Sequence, residues 1–395
     1  MPVSLESLHG RVMDVCSFDR LPFSQIPDVF GAAGRRFLDA NEAPFRPWIA
    51  LMGESKPDNS EITPETVWVN KEMAAPSSID LTRRPAVLDM MGIDRQLMFP
   101  AVLVLAVPLA TGVTRFKPQP SPEGIQAARD LLDVYNEWAG DLTKKYDRLR
   151  IAGGMVTNVT PDALAKKVGQ AIATGVKAVL IPGRIPPCGI SPADPALDPF
   201  YAQLAEAGVT LTLRGGAFAA GYRASEVWGT TPESVWKGGT SRLKDATGVT
   251  SLHEAEETFL TAMVLGGVFE RHPKLRFGLF KLGASWIGPL AERMDRGQPP
   301  FAYPDHLPMK PSEYLARNVR VTPLADAGDK GDRYEPVEVY FQRYPAIKNC
   351  YCYGSDFPLT EGGQWSLRRF YERVAPLGDD IVEKFFCENG KLVLP

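Results

Sequence analysis

The sequence predicts an α/β chain, residues 1–395, that closes into one (β/α)8 barrel of the TIM type carrying two insertions. Three observations lead there. Eight short apolar runs, rich in β-branched and aromatic residues, alternate with helical stretches, which is the pattern of a parallel sheet. Eight βα units in one chain suit a closed barrel better than an open sheet, and no G-x-G-x-x-G follows the first strand as a dinucleotide-binding fold would require. The length exceeds a typical barrel of roughly 250 residues by about 150, which calls for insertions. The two evident ones are 19–84, rich in Pro and Trp, and 215–251, rich in Gly, Thr and Trp.

The strands follow in order. Residues 11–16 (RVMDVC) form the first. Residues 95–104 (RQLMFPAVLV) begin as the second, after Gly92 stops a helix over 86–91. Residues 149–156 (LRIAGGMV) follow a long helix over 124–145. Residues 177–181 (KAVLI) follow a helix whose start is marked by Thr160 as N-cap and Pro161 in the first turn. Residues 209–213 (VTLTL), 275–280 (LRFGLF), 319–321 (VRV) and 349–353 (NCYCY) complete the set. Both insertions leave from the C-terminal ends of strands, the face on which barrels build their sites. A Pro-rich stretch, 298–311, reads as a surface loop.

Composition narrows the function classes. Lys+Arg number 44 against 47 Asp+Glu, a net charge of −3, and no long basic run gives a nucleic-acid footprint. Five cysteines without a CxxC pair do not read as a disulfide framework. The first residues lack a secretory pattern, and the longest apolar stretch, 99–110, is interrupted by Pro100 and Pro108 and too short to span a bilayer. The expectation is a soluble, cytoplasmic protein acting on a small molecule, without a nucleic-acid or membrane partner.

Five stretches resemble the amidohydrolase superfamily in family order. They are MDVCSFD at 13–19, RRPAVLDMMGIDRQLMFP at 83–100, YNEWAGDLTKKYDRLR at 135–150, GGVFERHPKLRFGLFKLGASWIGPLAERMD at 266–295 and YGSDFPLTEGG at 353–363. The resemblance is to the amidohydrolase-related branch, which holds aminocarboxymuconate-semialdehyde decarboxylase and related aromatic-acid decarboxylases and hydrolases. It implies a distorted barrel of the metal-dependent hydrolase type. It also implies a divalent metal held by a pair of ligands on strand one, by His after strand five, by His or Glu after strand six and by Asp after strand eight. Here those positions carry Cys16 and Phe18, then Leu213 or Arg214 depending on a one-residue shift, then Lys281; Asp356 alone keeps the family residue. The expected metal site is therefore absent, with a single divalent ion such as zinc or manganese, held by Asp356, Cys16 and His253, as the alternative.

Asp356, in Gly354-Ser355-Asp356-Phe357-Pro358, is the expected general acid or base. Lys281 supplies positive charge in place of the metal, acts as a base or Schiff-base nucleophile, or simply pairs with Asp356. Arg214, beside Gly215-Gly216, offers a fork of donors for a carboxylate or closes an internal ion pair. Cys16 is a nucleophile or a small buried hydrophobe. Among the four histidines, His272 and His9 precede strands on the stability face, His306 lies in the Pro-rich loop, and His253 opens a helix near the catalytic rim. Phe18 and Trp286 are assigned to the substrate pocket. Trp48, Gly53 and Trp68 from the first insertion and Tyr222, Trp228 and Trp236 from the second form an aromatic lid or an oligomer contact. Lys281, Asp356 and Arg214 are expected to converge, with Lys281 as the cation that offsets the buried Asp356.

The reading of function is an amidohydrolase-related enzyme that acts without the usual metal on a small carboxylated or aromatic molecule, by hydrolysis or decarboxylation. The alternatives are a non-catalytic homologue partnering an intact amidohydrolase and a small-molecule binding protein. Assembly as a homo-oligomer, or with a related amidohydrolase, is expected.

Overall fold

The computed structural model describes residues 2–46, 60–114, 118–215, 250–297, 306–328 and 331–395. Parallel strands β1 (Val12–Ser17), β2 (Ile93–Met98) and β3 (Leu149–Ile151) form one arc of the barrel. Strands β4 (Gly153–Gly154), β5 (Ala178–Leu180), β6 (Thr210–Arg214), β7 (Phe277–Phe280) and β8 (Val319–Val321) form the other. The arcs meet at Ala152, whose N–H donates to Met98 O at 2.9 Å, while Met155 N donates to Leu180 O at 3.0 Å. On the far side residues 349–353 fill the last position. Tyr351 bridges Val321 in parallel, Cys352 N donates to Val321 O at 3.1 Å, and Val15 N donates to Tyr353 O at 3.1 Å. The hydrogen-bonded ring is thereby continuous through eight strand positions.

All six residues of β1 are buried, as are all five of β6 and all four of β7. Strands covered by helices outside and by packed side chains inside are buried along their whole length. The helix signals act as read: Thr160 Oγ1 accepts from Ala163 N at 3.3 Å with Pro161 in the first turn, and Gly92 closes Arg84–Met91 at φ +73°. One boundary differs. The chain beyond residue 98 is not strand but a helix, Ala101–Thr111. Pro100 can donate no ladder bond, and Asp19 accepts from Ala101 N at 2.7 Å, supplying the side-chain cap that starts the helix. No helix among the described residues is long and apolar enough to cross a membrane.

The seam between the first and last strands is fastened by one carboxylate. Asp14, fully buried in β1, accepts from Ser355 N at 2.8 Å and Cys16 N at 3.3 Å through Oδ1. Its Oδ2 accepts from Ser355 Oγ and from Gln96 Nε2, both at 2.6 Å. Gln96 Oε1 in turn accepts from Arg84 Nη1 at 2.9 Å, and Arg84 Nη2 donates to Phe18 O at 2.9 Å. Burial pushes the Asp14 carboxyl up to about 6 against the hydrogen bonds from Ser355 and Gln96.

Removing this acceptor strands several buried donors, so D14A should cost roughly 3–5 kcal/mol in a urea unfolding experiment at pH 5, and D14N distinctly less. The pH dependence has a definite sign. With its folded value above its unfolded one, Asp14 contributes most below the unfolded carboxylate range, and that contribution is lost as pH rises through about 6. The parent should lose roughly 3 kcal/mol more stability than D14N between pH 4 and pH 7. Parallel profiles for parent and D14N would refute the assignment.

Candidate active site at the barrel mouth

The strand ends bring together five of the sequence-derived residues. Cys16 lies in β1, Phe18 one residue past it, Arg214 at the end of β6, Lys281 just after β7, and Asp356 after the eighth strand segment. Of the two residues that the sequence left open for the strand-five position, Arg214 lies against Phe18 and Leu213 is an apolar core residue. The ends of β6 and β7 approach so closely that a Cβ on Gly215 would sit 2.2 Å from Lys281 O, which requires glycine there. Lys281 and Asp356 both hold left-handed backbone, at φ +55° and +47°. Such conformations cost roughly 1–3 kcal/mol each in a residue with a side chain and collect at functional sites.

Phe18 organises the charges. The Arg214 guanidinium lies 4.1 Å from the centre of its ring and the Lys281 ammonium 5.0 Å away. Phe99 and Phe280 continue the aromatic wall, Phe99 lying 6.3 Å from Phe18 and 6.0 Å from Phe280 between ring centres. Arg214 is buried, and its Nε and Nη1 have no hydrogen-bond partner among the described residues. No carboxylate comes within ion-pair distance of it among the described residues; burial lowers its pKa, with Cys16 and Asp356 opposing. A buried, unpartnered guanidinium fork is costly to maintain, and it is the donor pattern that a planar carboxylate satisfies.

Asp356 is likewise buried, and its Oδ1 has no partner. Burial raises its pKa, opposed first by Lys281 and then by a hydrogen bond with Cys16. The Cys16 thiol is itself pushed well above its ordinary value, first by burial and then by the Asp356 charge, so it stays protonated and is not poised as a nucleophile.

The expected direct pairing of Lys281 with Asp356 is corrected. Lys281 Nζ makes its ion pair with Glu361 Oε1, at 3.6 Å, and acts on Asp356 through the field rather than by contact. His253 opens the helix Glu254–Leu265 as expected, and its ring is engaged beside that helix. It stacks on Trp286 with ring centres 5.4 Å apart and pairs with Glu257 Oε2 at 3.2 Å. Trp286 donates from Nε1 to Gly283 O at 2.9 Å. Among the described residues neither makes a hydrogen bond, ion pair or ring contact with the five residues at the mouth. His272 binds Asp198 Oδ1 at 2.9 Å and His306 binds Leu265 O at 3.0 Å. Trp68 is buried in the helix Pro64–Val69, whereas Trp48, Gly53, Tyr222, Trp228 and Trp236 lie outside the described residues.

Sequence reasoning missed Glu361, which stands five residues past Asp356 in the same turn. It also missed Arg84 and Gln96, whose signal was polar side chains in otherwise apolar stretches of helix and strand. The donor set does not fit a divalent metal. Where the resemblance places ligands, Cys16 and Asp356 are the only metal-binding types, and a cation there would face Arg214 and Lys281. Among the described residues no group of three or more His, Cys, Asp or Glu side chains is arranged to hold a metal.

The cysteines give a direct check of this burial. Cys16, Cys350, Cys352 and Cys387 are buried and Cys188 is half-buried, all five as free thiols. Native protein should release at most one equivalent of chromophore rapidly with a disulfide reagent such as Ellman's, and five after denaturation; C188S should remove the fast equivalent. A second fast thiol that disappears in C16S would overturn the buried placement of Cys16.

Comparison with known proteins agrees with this architecture. The sequence profile of the amidohydrolase family matches residues 104–394. No curated protein matches the chain in sequence. An amidohydrolase from Mycobacterium avium subsp. paratuberculosis K-10 superposes with a TM-score of 0.62 at 19% identity, covering 98% of this chain and 99% of that one. The 5-carboxyvanillate decarboxylase of Sphingomonas paucimobilis gives 0.59 at 15% identity, covering 97% and 99%. The 5-carboxyvanillate decarboxylase of Novosphingobium aromaticivorans DSM 12444, solved with manganese and 4-hydroxy-3-methoxy-5-nitrobenzoic acid, gives 0.57 at 17% identity, covering 97% and 96%. At these identities the likeness is one of fold.

Proposed function

The chain belongs to the amidohydrolase family, and from that premise we propose that it binds a small aromatic carboxylate at the barrel mouth and decarboxylates it without the usual metal. The observation that carries this reading is Arg214: a buried guanidinium with two unpartnered nitrogens, lying on an aromatic wall. The similar folds of two decarboxylases of an aromatic carboxylate support the reaction type. The manganese of one of them marks the difference, because this chain's donor set carries two cations where such an ion would sit.

In this reading Arg214 grips the substrate carboxylate through its free fork while Phe18, Phe99 and Phe280 pack the ring. Asp356, whose carboxyl burial pushes above its ordinary range, gives its proton to the ring carbon that bears the carboxylate. The bond from that carbon to the carboxylate then breaks, its electron pair restores the aromatic ring, and carbon dioxide leaves. Lys281 stands in the field of Asp356 and stabilises the negative charge left on that carboxylate as its proton leaves. Asp356 regains its proton from water, so proton and charge balance over the cycle.

A second reading has its own observation. Of the histidines, His253, His272 and His306 are engaged elsewhere, so no imidazole joins Asp356 among the described residues, and binding without turnover would leave the same site. One set of measurements separates the two. Hydroxybenzoates should bind the parent, and R214M should weaken binding roughly 10–100-fold, the worth of charge-assisted hydrogen bonds. D356N should retain binding but release no carbon dioxide. Protein purified without chelator should contain well under one equivalent of zinc, manganese or iron. Stoichiometric metal, or R214M binding as tightly as the parent, would defeat the proposal; binding without any product from the parent would favour the binding protein.

A further inference from the structure

Glu361 is an acid that nothing in the proposed reaction uses, yet its placement is built with care. It lies in the 3-10 turn Thr360–Gly362, which folds directly against the end of the eighth strand segment. A Cβ on Gly362 would stand 2.1 Å from Ser355 O, so only glycine lets the turn approach this closely. Thr360 N donates to Glu72 Oε1 at 3.2 Å, and Glu72 forms an ion pair with Arg20, fastening the turn to the loop after β1. Both carboxylate oxygens of Glu361 are engaged. Thr360 Oγ1 donates to Oε2 at 3.2 Å, and Oε1 faces the Lys281 ammonium at 3.6 Å. The pair is largely out of solvent, the side chains being 9% and 18% exposed, so water screens it little.

The charges at the mouth can then be matched. Arg20 is offset by Glu72 and Lys281 by Glu361, which leaves Arg214 as the mouth cation with no acid at ion-pair distance among the described residues. Asp356 adds a further acidic group within the same field. A ligand with one carboxylate satisfies Arg214. Among the described residues, a ligand with a second carboxylate has no second uncompensated cation to meet, and would have to displace Glu361 or lie against it.

We propose that Glu361 sets the charge of the ligand: by neutralising Lys281 it makes this site select an aromatic monocarboxylate over a dicarboxylate of the same ring size. The inference deepens the reading of Arg214 as a carboxylate anchor and rests on it. Glu361 is a positioning and selecting residue, which touches Lys281 and not the reacting carbon.

The test is equilibrium binding of two probes, benzoate and benzene-1,3-dicarboxylate, by calorimetry to the full-length protein. The parent should bind benzoate at least tenfold more tightly than the dicarboxylate, a readout that requires no variant. In E361Q, where Lys281 loses its carboxylate, affinity for the dicarboxylate should rise at least tenfold while that for benzoate changes less than threefold. E361D, which keeps the charge, should behave as the parent. The double variant E361Q/K281M should lose the gained dicarboxylate affinity, which a merely loosened pocket would retain. Equal affinity of the parent for both probes, or dicarboxylate affinity in E361Q no better than the parent's, would overturn the proposal while Arg214-dependent binding of benzoate still stood. If R214M bound benzoate as the parent does, the carboxylate-anchor reading itself would fall, and this inference with it.

Discussion

Four hydrogen bonds to one carboxylate underlie the geometry of the site. Asp14 joins the first strand to the turn that carries Asp356 and, through Gln96 and Arg84, to the carbonyl of Phe18. The backbone on both sides of the closing seam is therefore referred to a single buried point. A network of this kind has value only when complete, because each unsatisfied member would carry a desolvation penalty larger than its bond is worth. Here completeness serves the site: Phe18, Cys16 and Asp356 all stand within two residues of a group that this network holds.

At the mouth, chemistry of one kind is arranged where the resemblance would place another. A metal concentrates positive charge at one point and exchanges its ligands; Arg214 and Lys281 spread two charges over a ring face and exchange nothing. The aromatic ring lowers the cost of keeping those charges out of water, since its π-system attracts both cations. What it cannot do is fill the hydrogen-bonding capacity of the guanidinium, and the unsatisfied nitrogens of Arg214 are the residue of that mismatch. The carboxylate anchor we propose follows from an imbalance of donors over acceptors rather than from a shape.

Much of the barrel was legible in the sequence because it depends on local signals. Apolar runs bounded by Gly92 or introduced by Thr160-Pro161 mark their own ends. The boundary after β2 was misplaced because residues 101–104 are apolar in either state, and the cap that decides for helix comes from Asp19, more than eighty residues away. The site was legible to the same degree. Positions at strand ends follow from the fold, so Cys16, Phe18, Arg214, Lys281 and Asp356 were found. The partner of Lys281 depends on how the turn at Thr360–Gly362 leans on Ser355, a matter of a few ångströms that no periodicity encodes. His253 was placed by proximity in the chain, whereas its ring is taken up by Trp286 and Glu257.

The ring of Phe18 lying against two cations also bears on how such a site could change over generations. Restoring a ligand at position 18 alone would put a metal-seeking group beside a guanidinium and an ammonium. Restoring one at 214 or 281 alone would leave the other cation, and in the second case would also abandon Glu361. Of these single replacements the one at 281 strands a buried charge, that of Glu361. The contributions of positions 281 and 361 are therefore coupled, so that what one tolerates depends on what stands at the other.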